Sequence, residues 1–266
     1  MAVTPASRFC ALTLSLCCLH LLPIAGAAAA ERQFPGEFVS DVVVPVPSEI
    51  FSVLDKLGEP NWQQEVRKPK LAKSGDRVRL ALQFGSTVAE GFVAVQAQDK
   101  DAVKDIGRDV IDLATSLGLI QSVRPHAQAI LDAADKSDWS AIRREFDRTQ
   151  KTVRATMDQM RDGDLSQCVS MGGWLRGTSS VTSIINKNFS EDRAELLNQP
   201  MLVEHFIKAI GSMSAAARSH DLVKGIESGL QTILGQMNKS KGRFSKESVL
   251  TIGGTCQQSL AAVLAK

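Results

Sequence analysis

Residues 76–98 constrain the fold more than any other stretch. Read as a helix, they put Val78, Leu80, Leu82, Phe84, Val88, Phe92, Val93 and Val95 on most of its faces. A helix that is apolar nearly all round has to be enclosed by other elements, so this one is expected to be buried and central. Gly85 and Gly91 lie inside it and lower its helix propensity, a cost offset where a neighbouring helix needs to come close.

The rest of the chain repeats the helical period around this element. Ser48 can cap a helix ending at Leu57, with Gly58 as its stop. From Asp99 or Lys100, the residues Val103, Ile106, Val110, Ala114 and Leu117 form one stripe that Gly118 ends. A helix over 120–134 is entered or kinked at Pro125. Asp138 caps a long helix to Arg161 with a narrow seam through Trp139, Ile142, Phe146, Val153 and Met157, the pattern of an outer wall. Asp164 opens a helix interrupted by Gly172, Gly173 and Gly177. Ser190, Pro200, Asp221 and Ser245 start the remaining helices. The expected class is all-α, a single multi-helix bundle or array of about eight to ten helices with a buried glycine-containing central helix. It occupies 48–266 and follows an extended arm at 31–47, where Val42 to Pro47 favours β or polyproline geometry because each proline pushes its predecessor out of the helical region. Leu82-Gln-Phe-Gly85, Val169-Ser-Met-Gly172-Gly173 and Leu250-Thr-Ile-Gly253-Gly254 each put glycine after an apolar turn.

The first 30 residues are of a different kind. Arg8 is the only charge before Glu31, Phe9 to Leu22 is almost unbroken apolar sequence, and Pro23 and a small-residue stretch to Ala30 follow. These are the parts of a cleaved secretory signal peptide, and the apolar core is shorter than the ~20 residues of a membrane-spanning helix. Residues 31–266 are then expected to be exported, to a periplasm or the cell exterior. Beyond the leader no membrane span is expected, since Leu80 to Ala97 contains Gln83, Glu90 and Gln96. Loss of the leader removes Cys10, Cys17 and Cys18, and leaves Cys168 and Cys256 as an expected disulfide in an oxidising compartment.

Charge argues against a polyanion partner. The chain carries a formal +2, and the part after the leader loses only Arg8. No whole-chain field then draws nucleic acid. Two local basic stretches stand out as an anion site if folding joins them: Arg67, Lys68, Lys70 and Lys73, and Lys239, Lys241 and Arg243.

Catalytic chemistry has little to work with. After the leader the histidines are His126, His205 and His220, without the helical spacing of a zinc site. There is no Gly-x-Ser-x-Gly elbow, phosphate loop or dinucleotide fingerprint, so no metal or cofactor is expected. Three readings of function follow. The first is a non-catalytic binding or scaffold protein whose partner is a protein or an apolar small ligand. The second is a carrier holding an apolar ligand in a helical cavity, for which glycine-thinned helices would leave room and a cavity above about 300 Å³ would speak. The third is an enzyme built from dispersed residues, which needs His205, His220 and a carboxylate to converge.

Overall fold

The computed structural model describes residues 37–39, 42–44, 47–68, 70–71 and 74–265, with side chains from Phe51 onward except at 154 and 158. The expected leader at 1–30 and Lys73 lie outside the described residues.

Local sequence signals start and stop the helices. Asp76 caps α2 (Arg77–Gln96) by accepting from the backbone N–H groups of Val78 and Arg79. Asp99 caps α3 (Lys100–Leu117) through Ala102 N–H, and Gly118 ends it in the left-handed conformation at φ 80°. Asp138 accepts from Ala141 N–H at 2.9 Å where α5 (Trp139–Met160) begins. Ser190 and Ser245 cap α7 (Glu191–Ala194) and α11 (Lys246–Leu264) in the same way. At α10 (Asp221–Ser240) the cap falls one residue earlier than expected: the Nδ1 atom of His220 accepts from Leu222 N–H at 3.2 Å. Pro125 does not end α4 (Ile120–Asp135), because the carbonyl that loses its partner, at Gln121, belongs to an exposed residue that water can reach.

The remaining helices are α1 (Pro47–Asp55), α6 (Gly163–Lys187), α8 (Pro200–Ser212) and α9 (Ala215–Ser219). The architecture is an all-α bundle with α2 and α6 at its centre. In the arm, β1 (Glu37–Val39) and β2 (Val42–Val44) pair antiparallel, with Glu37 opposite Val44. Of the expected arm, the described residues 37–39 and 42–44 are strand.

Burial of α2 follows from its composition. Phe92 is 6 % and Val95 2 % exposed, and the helix packs on α6, α3, α11, α1 and α5. By length and composition α2 could cross a membrane, but 83 % of its apolar window is buried within the protein itself.

The α2–α6 contact is made backbone to backbone. A Cβ added at Gly85 would lie 1.9 Å from the Val169 carbonyl oxygen, and one at Gly172 would lie 2.2 Å from the Leu82 oxygen. The helices run parallel. Partner numbers differ by 85 at Arg77 and Asp162, by 88 at Gly85 and Gly173, and by 86 at Glu90 and Arg176. Two parallel neighbours need a crossover, and α3, α4 and α5 supply it. The third glycine turn joins the same centre: a Cβ at Gly253 would lie 2.7 Å from Thr182 Oγ1. The three similar segments at 82–85, 169–173 and 250–254 are thus the places where helices come closest.

The expected disulfide is not present. Cys168 and Cys256 are both free and buried. Gly253 touches Thr182, whereas the far end of α11 reaches the start of α2, where Gln83 Nε2 donates to the Val263 carbonyl at 3.2 Å. α11 therefore runs antiparallel to α6. Cys168 lies 14 residues before Thr182 and Cys256 only 3 after Gly253, leaving about 11 residues, or roughly 16 Å of helix rise, between their levels. A disulfide tolerates a Cα separation of about 7 Å at most. Cysteine spacing alone does not register helix level, which is why the pairing read from the sequence fails.

Two outcomes are expected. Gly85→Ala or Gly172→Ala destabilises by about 3 kcal/mol in urea unfolding, the upper end for overpacking, because backbone is displaced. Gly177→Ala and Gly235→Ala, whose added Cβ meets nothing within 4 Å, are neutral or stabilising by up to about 1 kcal/mol. Burial pushes both thiols up to about 12, with Asp164, Asp162 and Asp76 adding to the effect at Cys168. Neither then reacts with a thiol reagent at pH 8 before unfolding. Because the folded thiols hold their protons more tightly than unfolded ones, their contribution is complete below about pH 9 and is lost as pH rises towards 12. Unfolding midpoints measured from pH 8 to 11 should fall accordingly.

Candidate functional site

The structure leaves a cavity of about 340 Å³ alongside α6. One wall is α2 with α3, α4 and α5, contributing Phe84, Ala89, Ile106, Phe146 and Val153. The other is the segment from Leu196 to Phe206, including the start of α8. The space exists because of what α6 lacks. Ser166, Ser170, Gly173 and Gly177 follow at intervals of four, three and four residues, which is one face of a helix. A Cβ at Gly173 would meet the Gly85 oxygen at 3.4 Å, whereas one at Gly177 would meet nothing within 4 Å. Gly173 lies against its neighbour, and Gly177 faces empty space.

The lining is uncharged. Among the described residues no Asp, Glu, Lys, Arg or His contributes to it. Several of its polar groups are already engaged. Trp174 Nε1–H donates to Gln199 Oε1 at 3.1 Å, and Gln199 Nε2 donates to the Leu196 carbonyl at 3.2 Å. Thr149 and Ser170 donate to backbone carbonyls one turn back, Glu145 and Ser166. Gln150, half-buried on α5, makes no hydrogen bond to the rest of the protein among the described residues.

A buried ionic network stands beside the cavity and holds the chain before α2 against α2 and α6. Glu90 and Arg176 are 2 % and 4 % exposed, and Arg176 Nε donates to Glu90 Oε2 at 2.5 Å. The Arg67 backbone N–H donates to Glu90 Oε1 at 2.5 Å, and Arg176 Nη2 donates to the Glu65 carbonyl at 2.7 Å. Arg176 also bonds Ser180, a lining residue. The buried Glu65 carboxylate accepts from Lys187 Nζ at 2.6 Å and from Ser183 at 3.0 Å. Burial, then the like charge of Arg176, pulls the Arg67 guanidinium below its ordinary range, against the attraction of Glu90 and Glu65. The sequence held one sign of this network: Glu90 is a carboxylate inside an apolar helix, and such a group needs a buried partner.

The basic residues expected to form an anion site lie on separate segments. Arg67 joins the network just described through its backbone N–H, and the residue is exposed. Lys68 pairs with Asp105 at 2.8 Å, and that hydrogen bond raises its pKa. Lys70 is exposed. Lys239, Lys241 and Arg243 sit at the turn from α10 to α11, beside buried Phe244.

The histidines serve helix ends and helix pairing. His220, capping α10, also reaches Asp76, the cap of α2, with 2.8 Å between Nε2 and Oδ2. His205 lies against Phe206, and burial, followed by nearby Lys208, lowers its pKa. Among the described residues it makes no hydrogen bond to His220 or Asp76. His126 makes a constellation the sequence did not reveal. Its Nδ1 is 2.6 Å from Glu145 Oε1 and its Nε2 2.9 Å from Thr152 Oγ1. Carboxylate, imidazole and hydroxyl stand in the order of a proton relay. None of the three lines the cavity, and with the 2.7 Å bond between Ser122 and Thr156 they fasten α4 to α5. Among the described residues no group of three metal-ligating side chains forms.

Comparison with protein-family models, curated proteins and solved structures gives no match to this chain.

Removing one partner of the buried pair strands the other. Glu90→Gln is expected to cost about 3–5 kcal/mol in urea unfolding. A loss below about 1 kcal/mol, the level of an exposed pair, would show that the network does not hold the chain in place.

Proposed function

We propose that this protein is a non-catalytic binding protein that carries an apolar small molecule in the groove along α6. The observation that carries this reading is the cavity of about 340 Å³, in whose lining no described residue is charged. Protein interiors hold few voids larger than a water molecule. Apolar lining that a bound apolar molecule removes from water contributes about 25 cal/mol per Å². The volume is also within the range of small-molecule sites, about 300–1,000 Å³.

Export, the expectation drawn from residues 1–30, fits such a role. A molecule that dissolves poorly in water needs a carrier in an aqueous compartment outside the membrane.

Gly177 supplies the test. The Cβ of Gly177→Leu meets nothing within 4 Å at a residue that lines the cavity, and the substitution raises helix propensity. Wild-type protein is expected to bind the neutral dye Nile red saturably at one equivalent, with a blue-shifted emission. Gly177→Leu should weaken that binding at least tenfold while leaving the unfolding temperature unchanged or higher. Absence of saturable binding by the wild type, or equal binding by the variant, overturns the reading.

A further inference from the structure

Resting on that reading, we infer that the Ser180 hydroxyl is a polar anchor of the cavity, and that the molecule held there is apolar with a carbonyl oxygen that accepts its hydrogen bond. Ser180 lies on α6 and lines the cavity, yet the residue is only 1 % exposed. At about 100° per residue it stands about 60° around the helix from Gly177, which faces empty space, and about 40° from Arg176, which pairs with Glu90. It sits at the seam between the cavity and the buried ionic network.

The bond to Arg176 fixes what the Ser180 hydrogen can do. A guanidinium has donors and no acceptor, so between Arg176 Nη1 and Ser180 Oγ it is the serine oxygen that accepts. The serine's own hydrogen has to point elsewhere. Other hydroxyls of the lining direct theirs to the carbonyl one turn back, Thr149 to Glu145 at 2.7 Å and Ser170 to Ser166 at 3.1 Å. Ser180 makes no such bond, and among the described residues it donates to no other group. A buried donor without an acceptor is costly, and a guest oxygen in the cavity removes that cost.

The network behind the serine selects the kind of oxygen. Arg176 is held by Glu90 Oε2 at 2.5 Å and by the Glu65 carbonyl at 2.7 Å. Hydrogen bonds in series polarise one another, so a hydroxyl that accepts from a cation donates more strongly. The guanidinium charge is already met by the Glu90 carboxylate, so what reaches the cavity is a hydrogen-bond donor and not a free positive charge. The neutral carbonyl of a ketone or ester, a good acceptor with no hydrogen of its own to place, matches such a donor set among apolar side chains.

The test uses a matched pair, acetophenone and ethylbenzene, which differ by one carbonyl oxygen. Each is titrated against Nile red bound to the full chain, and each variant's own dye affinity converts displacement into a dissociation constant. Ser180→Ala should weaken acetophenone about fivefold, the worth of one hydrogen bond of about 1 kcal/mol, and leave ethylbenzene unchanged. In difference infrared spectra the carbonyl stretch of bound acetophenone should lie below its value in hexane for the wild type and rise towards it in Ser180→Ala. A merely structural role of Ser180 would not move that frequency. A wild-type stretch at the hexane value overturns the inference before any variant is made. Equal weakening of both probes in Ser180→Ala also overturns it, because the cavity as a whole is then disturbed. So does a stretch that stays low in the variant, which assigns the donor to another lining group such as Thr178. Should Nile red itself fail to bind, the carrier reading falls and not only its anchor.

Discussion

The contact between α2 and α6 at Gly85 and Gly172 is the constraint on which the rest of the molecule depends. Each glycine sits where the partner's carbonyl oxygen occupies the space a side chain would take. The two longest apolar faces therefore meet at backbone distance. The buried Glu90–Arg176 pair is set a few residues beyond this point on both helices. Its geometry is possible only because the register is already fixed by a contact that permits no sliding.

The same approach creates the groove. Where α6 continues past the contact, its small residues no longer face a close neighbour, and the α5 wall stands off from Gly177. One glycine-rich helix thus does two opposite things along its length. It meets α2 at backbone distance at Gly172 and borders a cavity at Gly177.

This duality explains how much could be read in advance. The central helix was legible because an apolar circumference has a single structural solution, and other helix starts were legible because Asp99, Asp138, Ser190 and Ser245 form local hydrogen bonds with their own chain. Glycine was legible as a signal of close approach, but Gly85 and Gly177 are the same letter, and only tertiary context separates contact from cavity. The cysteine pairing failed for a similar reason, since composition carries no information on the level a residue occupies in a bundle. The link from His126 to Glu145 and Thr152 joins two helices whose polar faces each read as solvated. The two basic stretches are separate in the sequence, which holds no sign of whether they meet; Lys68 pairs with Asp105, and the second stretch sits at the turn from α10 to α11.

The parallel arrangement of α2 and α6 also has a consequence in time. Residues that meet backbone to backbone are separated by 84 residues at Gly85 and Val169. Closing a loop of that length carries an entropic cost before the contact can reward it, and such non-local contacts slow folding. The helices α3, α4 and α5 form within that loop from local signals and pack as consecutive neighbours. The crossover helices can therefore form from local signals before the non-local α2–α6 contact closes.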